Sequence, residues 1–150
     1  MKMSGNLKDY VSVYEEFIPK ELRESCVSSL SEASWSMHTY HDSLSGELKT
    51  NPYDLSVSYD GVDGKKEIQD SFWNAIHRYI CEDHKEVNGW YNAWSGYTEV
   101  RFNKYDVGTA MDIHCDHIHT MFDGQMRGIP TLTVLGVLND GYEGGDLVMW

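Results

Sequence analysis

The chain has 150 residues, 41% of them hydrophobic and 13% aromatic, and a formal charge of −12. Ten Tyr, five Trp and four Phe offer enough apolar surface to fold one domain, which excludes a disordered chain. No Lys/Arg cluster offsets the acidic balance, so phosphate backbones repel the chain and nucleic-acid binding is disfavoured.

Residues 10–14 alternate and are rich in β-formers, which predicts a short strand. Pro19 suits the first position of a helix, Glu21 and Glu24 favour its positive start, and Leu22, Cys26, Val27 and Leu30 share one face. An amphipathic helix is predicted over about 19–33, and another strand over 35–40. Residues 41–64 are rich in Ser, Asp, Gly and Asn, with Asn51-Pro52 as a turn signal and an alternating strand at 55–59. Ile68, Phe72, Ile76, Tyr79 and Ile80 fall at helical spacing, with Gln69, Asp70, Asn74 and Arg78 opposite. They predict the long core-facing helix over about 65–82.

Beyond Gly89 the character changes to strands, a short one at 90–94 and a strong one at 97–105 carrying Val100 and Phe102. Gly108 breaks the latter and re-aims the chain toward His114. After a Gly-containing loop at 119–128, the apolar, β-branched run 131–138 reads as a strand buried on both faces. A turn at 139–145 leads into a further strand from Asp146. Helices and early strands followed by a run of strands suit a β core with helices packed on it, an α+β arrangement of jelly-roll or cupin type. No linker divides the chain.

Cys26, Cys81 and Cys115 are odd in number and form no C-x-x-C, which suits a reducing compartment better than a disulfide framework. The first residues hold no apolar run for a signal peptide. No stretch approaches the ~18 apolar residues of a membrane span. A cytoplasmic protein is expected.

The chemistry concentrates at His114-Cys115-Asp116. On a strand, residues i and i+2 share a face, so His114 and Asp116 would converge on one ion while Cys115 packs on the outer side. A His and a carboxylate are two thirds of the facial triad that holds non-haem Fe(II). Alone, such a triplet is a weak signal, and a His-rich surface loop is its plain alternative. His38-x-x-His41-Asp42 reads as a solvated loop rather than a second metal site, because its spacing fits a helical turn poorly in that Ser- and Tyr-rich setting. Trp73, Trp90 and Trp94 read as core or platform aromatics, the last two near the site entrance.

The segment Tyr105-x-x-Gly108-x-x-x-x-x-His114-x-Asp116 resembles the start of the catalytic core in Fe(II)- and 2-oxoglutarate-dependent dioxygenases, in particular the prolyl 4-hydroxylase-like group. Arg127, Thr131 and Thr133, Leu138-Asn139 and Gly144-Gly145-Asp146 follow in the order that group uses. The resemblance is close over 97–150 and loose over 1–96. It implies a double-stranded β-helix core at 97–150 with a helical support region at 1–96. It also implies Fe(II) held by His114 and Asp116, 2-oxoglutarate as cosubstrate, and ascorbate as a further cofactor. The implied reaction is hydroxylation of a prolyl residue or a related peptide or small-molecule C–H, with O2 consumed and succinate and CO2 released. Tyr105, Thr133 and Leu135 are the candidate cosubstrate contacts. A core role for Tyr105 is an equal alternative, and Arg127 reads as a loop cation.

The departures are specific. The group carries a distal histidine and a basic cosubstrate anchor well after the Gly-Gly step. Here the histidines after Asp116 are His117 and His119, and no Arg or Lys follows Arg127. Val137 and Met111 stand where tyrosines are common. Ending at Trp150 within an apolar run would leave an open edge, so the chain is expected to be the N-terminal part of a longer enzyme, truncated after the Gly-Gly turn. The competing expectation is a dimer joined through that edge.

Overall fold

The computed structural model describes residues 6–42, 45–85, 97–114 and 132–149. The fold is α+β: two helices and five short antiparallel strands in two open sheets. Helix α1 spans Lys20–Leu30, with Pro19 as its cap and Glu21 in the first turn. It stops before residue 33 because its last carbonyls find other donors. The Ser31 hydroxyl donates to the Ser28 carbonyl at 2.7 Å, and the Trp35 indole N–H donates to the Leu30 carbonyl at 3.2 Å. Helix α2 spans Lys65–Arg78 and continues as one π turn over Tyr79–Asp83, closed by the His84 N–H on the Tyr79 carbonyl at 2.9 Å. The predicted helix at 65–82 is thus present as a helix with a widened end.

The strands are β1 (Ser36–Met37), β2 (Thr39–His41), β3 (Leu48–Thr50), β4 (Ser56–Ser58) and β5 (Phe102–Lys104). One sheet has the order β1-β4-β5, and β2 with β3 forms a separate hairpin. The predicted strand at 35–40 is therefore two strands in two sheets. The predicted strand at 97–105 is shorter, and β3 had no counterpart in the sequence reading.

Residues 10–14 are not a strand. Their polar groups are taken by the end of α2: the Tyr79 hydroxyl donates to the Tyr10 carbonyl at 2.8 Å, and the Tyr14 hydroxyl to Asp83 at 2.5 Å. The Arg78 guanidinium lies 4.5 Å from the Tyr14 ring centroid. The predicted 90–94 strand lies outside the described residues.

Register assigns the two faces of the β1-β4-β5 sheet. Ser58 opposes Phe102 and Ser56 opposes Lys104, while Val57 opposes Asn103 and Ser36. Phe102 and Val100 are buried with Ile18, Cys26, Val62 and Ile68, against Leu22, Trp35 and Phe72. Even-numbered β5 residues therefore face the helices, and Arg101, Asn103 and Tyr105 alternate to the far face. Leu55 and Val57 are buried at 2% and 5% exposure yet stand apart from the helix-backed cluster.

Residues 132–138 were expected as a strand buried on both faces. They form no strand among the described residues, and only one side is covered. Leu132, Val134 and Leu138 are half-buried, whereas Thr133, Leu135 and Val137 are exposed. The covered side lies on α2 and Ile18: a Cβ at Gly136 would come within 3.0 Å of Phe72 and 3.1 Å of Ile18. β-Branched composition favours a strand, but it does not supply the neighbour that a strand must pair with. Residues 146–149 likewise form no strand. No helix among the described residues is long and apolar enough to cross a membrane.

Candidate functional site

The far face of the sheet carries the chemistry-bearing groups. Continuing the β4–β5 register by one residue sets Leu55 opposite Tyr105. The His38 N–H donates to the Leu55 carbonyl at 3.2 Å, so His38, Leu55 and Tyr105 form one row across β1, β4 and β5. The 132–138 segment meets Phe72 of α2 and Ile18 at Gly136, and Thr133 and Leu135 are exposed.

His38 is the correction to the sequence reading. It is buried at 9% exposure rather than solvated in a loop. Its Nδ1 lies 2.8 Å from Asp54 Oδ2, and both side chains are about nine-tenths buried. The other Asp54 oxygen accepts the Leu55 N–H at 2.7 Å. Of the remaining two residues of that motif, Asp42 serves the hairpin, accepting from Ser45 N–H at 2.8 Å and Lys49 at 3.0 Å. Asp54 lies 16 residues from His38, so local spacing gave no sign of the pair.

Tyr105 follows β5 directly, with about half its surface exposed. Partial burial holds its phenol pKa above the ordinary value of 10.0, and the Asp54 carboxylate adds to that while Arg101 opposes it. The phenol is therefore a proton-bearing donor well beyond neutral pH. The chain then turns at Val107-Gly108, where Gly108 has φ 83°, a left-handed conformation that favours glycine. The expected break at Gly108 is present. The Thr109 hydroxyl donates to the Asp106 carbonyl at 2.8 Å, and the Ala110 N–H donates to the Tyr53 carbonyl at 3.1 Å.

His114 lies at the end of this segment, exposed, in irregular backbone rather than on a strand. Its partner in the predicted pair, Asp116, lies outside the described residues, as do Cys115, Arg127, Trp90 and Trp94. His114 is therefore not set on a strand face by the i, i+2 alternation. The chain leaves the sheet at β5, and the turn at Gly108 sends it along the 51–55 turn instead. The His114 Nδ1 sits 2.7 Å from the Asp112 carbonyl. A carbonyl only accepts, so Nδ1 carries the proton and the ring's lone pair is on Nε2. Metal-binding histidines are commonly held this way, with one ring nitrogen donating to a carbonyl. By the chemistry of its donor, His114 fits a metal; among the described residues no group of three or more His, Cys, Asp or Glu is gathered to hold one.

Thr133 and Leu135 share an exposed face, as their spacing predicts. A hollow of about 390 Å³ lies elsewhere, lined by Glu32, Trp35, Ser58, Tyr59 and Asp60 among others. Two carboxylates and no cation in its lining make it a poor fit for an anionic cosubstrate. Searches of family models, curated proteins and solved structures found no match to this chain.

Proposed function

We propose that this chain belongs to the Fe(II)- and 2-oxoglutarate-dependent hydroxylases, similar to the prolyl 4-hydroxylase-like group and acting on a prolyl residue or a related peptide or small-molecule C–H. The observation that carries the reading is the ordered run from Tyr105-x-x-Gly108 through His114-x-Asp116 and Thr133 to Leu138-Asn139 and Gly144-Gly145-Asp146. Order across several weak motifs is far more specific than any one of them. In this reading His114 and Asp116 hold the iron, and the core completes as a double-stranded β-helix. Bound iron supplies the redox chemistry that couples 2-oxoglutarate decarboxylation to C–H hydroxylation.

The residues of the chain supply orientation and protons. The Asp112 carbonyl fixes the ring of His114 and its tautomer. Asp116 lowers the net charge of the metal centre. In this reading Tyr105, with its raised pKa, would offer a hydrogen bond to an anionic cosubstrate, and Thr133 and Leu135 would be its other contacts. The test is Fe(II)-dependent formation of succinate from 2-oxoglutarate. A folded, iron-loaded sample with no turnover, coupled or uncoupled, would sink the reading.

A second reading is a cupin-like module that binds a metal or ligand without catalysis. Met111 and Val137 favour it, since they remove two hydroxyls that a cosubstrate would otherwise meet. It is distinguished by metal binding without succinate formation.

A further inference from the structure

The buried pair of His38 and Asp54 takes no part in that reading, yet burial makes it costly. Burying a histidine and a carboxyl costs stability unless hydrogen bonds inside the protein replace those lost to water. Those bonds are present, and all of them bind one turn. Asp54 accepts the Leu55 N–H, and its own N–H donates to the Asn51 carbonyl at 3.0 Å. The Asn51 side chain accepts the Tyr53 N–H at 3.0 Å. His38 closes the arrangement from β1, with its ring on Asp54 and its N–H on Leu55. The pair therefore fixes the 51–55 turn from both sides.

That turn presents the Tyr53 carbonyl to Ala110. The Ala110–Tyr53 bond crosses to another part of the chain. We propose that His38 and Asp54 are positioning residues for this segment: they fix the Tyr53 carbonyl, which sets the placement of Ala110 and so of His114 four residues on. The positioning stands on geometry alone; its consequence for metal binding rests on the reading of His114 given above.

The experiment is amide hydrogen exchange by NMR on the full chain, with His38→Gln and Asp54→Asn. The readout is the exchange rate of the Ala110 amide relative to the α2 amides in the same sample, so that a general loss of stability, which raises both, cancels. The ratio is expected to rise at least tenfold in each variant. The double variant should match the singles, because the two groups act as a unit. In Asp54→Asn the Tyr105 phenol should also ionise at lower pH. Burial still holds the phenol pKa up, but the Asp54 carboxylate that added to it is gone and Arg101 still opposes it. An unchanged ratio in both variants overturns the proposal, whatever their overall stability.

Titration with Co(II) separates this from the functional reading. Binding by the parent chain that weakens at least tenfold in the variants supports both. A parent chain that fails to bind Co(II) removes the metal reading and leaves the exchange result to decide the positioning. Equal affinity in parent and variants, despite faster Ala110 exchange, overturns the step from Ala110 to His114.

Discussion

The helix-backed face of the β1-β4-β5 sheet buries aliphatic and aromatic groups, whereas the far face combines two buried apolar side chains, Leu55 and Val57, with the buried, hydrogen-bonded His38–Asp54 pair and an ionisable phenol at its rim. Packing accounts for the first face. The second holds buried polar groups that are tolerated only because their hydrogen bonds are made with the 51–55 turn. The largest difference should appear on truncation. Ile68, 2% exposed in the helix-backed cluster, replaced by Ala should lose about 2–5 kcal/mol through lost burial and the cavity left behind. Thermal and denaturant unfolding measure it. A loss below about 1 kcal/mol would mean that the helices do not hold the core as described.

A backbone substitution probes the joint between the helices on that same face. Gly64 caps α2 at φ 77°, and a Cβ there would meet Leu22 Cδ1 at 2.5 Å and Cys26 Sγ at 3.2 Å. Gly64→Ala combines left-handed strain with a clash, so a loss of about 1–3 kcal/mol is expected. Nothing on the far face is touched, so the Ala110 amide should keep its exchange rate relative to α2 in this variant. A selective change at Ala110 would show that the two faces are coupled.

Titration offers a third comparison. Burial raises the Cys26 thiol above its ordinary 9.0, with Glu67 and Asp63 adding to it, and burial raises the Tyr79 phenol above 10.0. Both folded values lie above the unfolded ones. Their contribution to stability is present at low and neutral pH and is lost as pH rises through the thiol and phenol ranges. Unfolding midpoints should therefore fall on going from pH 8 to pH 11. Alkylation gives a residue-level check. Exposed Cys81 should react with iodoacetamide at pH 8 within minutes, whereas Cys26 should react only as the chain opens. Equal rates would contradict the buried position of Cys26.

The helices were legible because their signal is local. Ile68, Phe72 and Ile76 recur at helical spacing, and Pro19 and Glu21 mark the start of α1. Strand β3 was not legible, since Leu48-Lys49-Thr50 is too short to alternate and is specified by its pairing with β2. The His38–Asp54 pair was hidden for a related reason: a buried side-chain hydrogen bond is a tertiary choice between residues 16 apart. The candidate site was legible as residue types in order, Tyr105, His114 and Asp116, but not as geometry. The i, i+2 rule presumes a strand, and the chain turns at Gly108 before reaching His114.

The run 131–138 gives the smallest expected effect and the sharpest contrast with Ile68. Its composition is that of a core strand, yet Leu135 is 60% and Val137 65% exposed. Leu135→Ala should then shift stability by no more than about 0.5 kcal/mol, as for other surface positions. Leu138, on the covered side against the helix-backed cluster, should cost more when replaced by Ala. A loss at Leu135 as large as at Leu138 would mean that this side of the run is covered in solution. Adding 2-oxoglutarate with Fe(II) then separates the two readings of the far face. If Leu135 lines the cosubstrate site, Leu135→Ala should weaken 2-oxoglutarate binding while leaving the unfolding midpoint of the ligand-free chain unchanged.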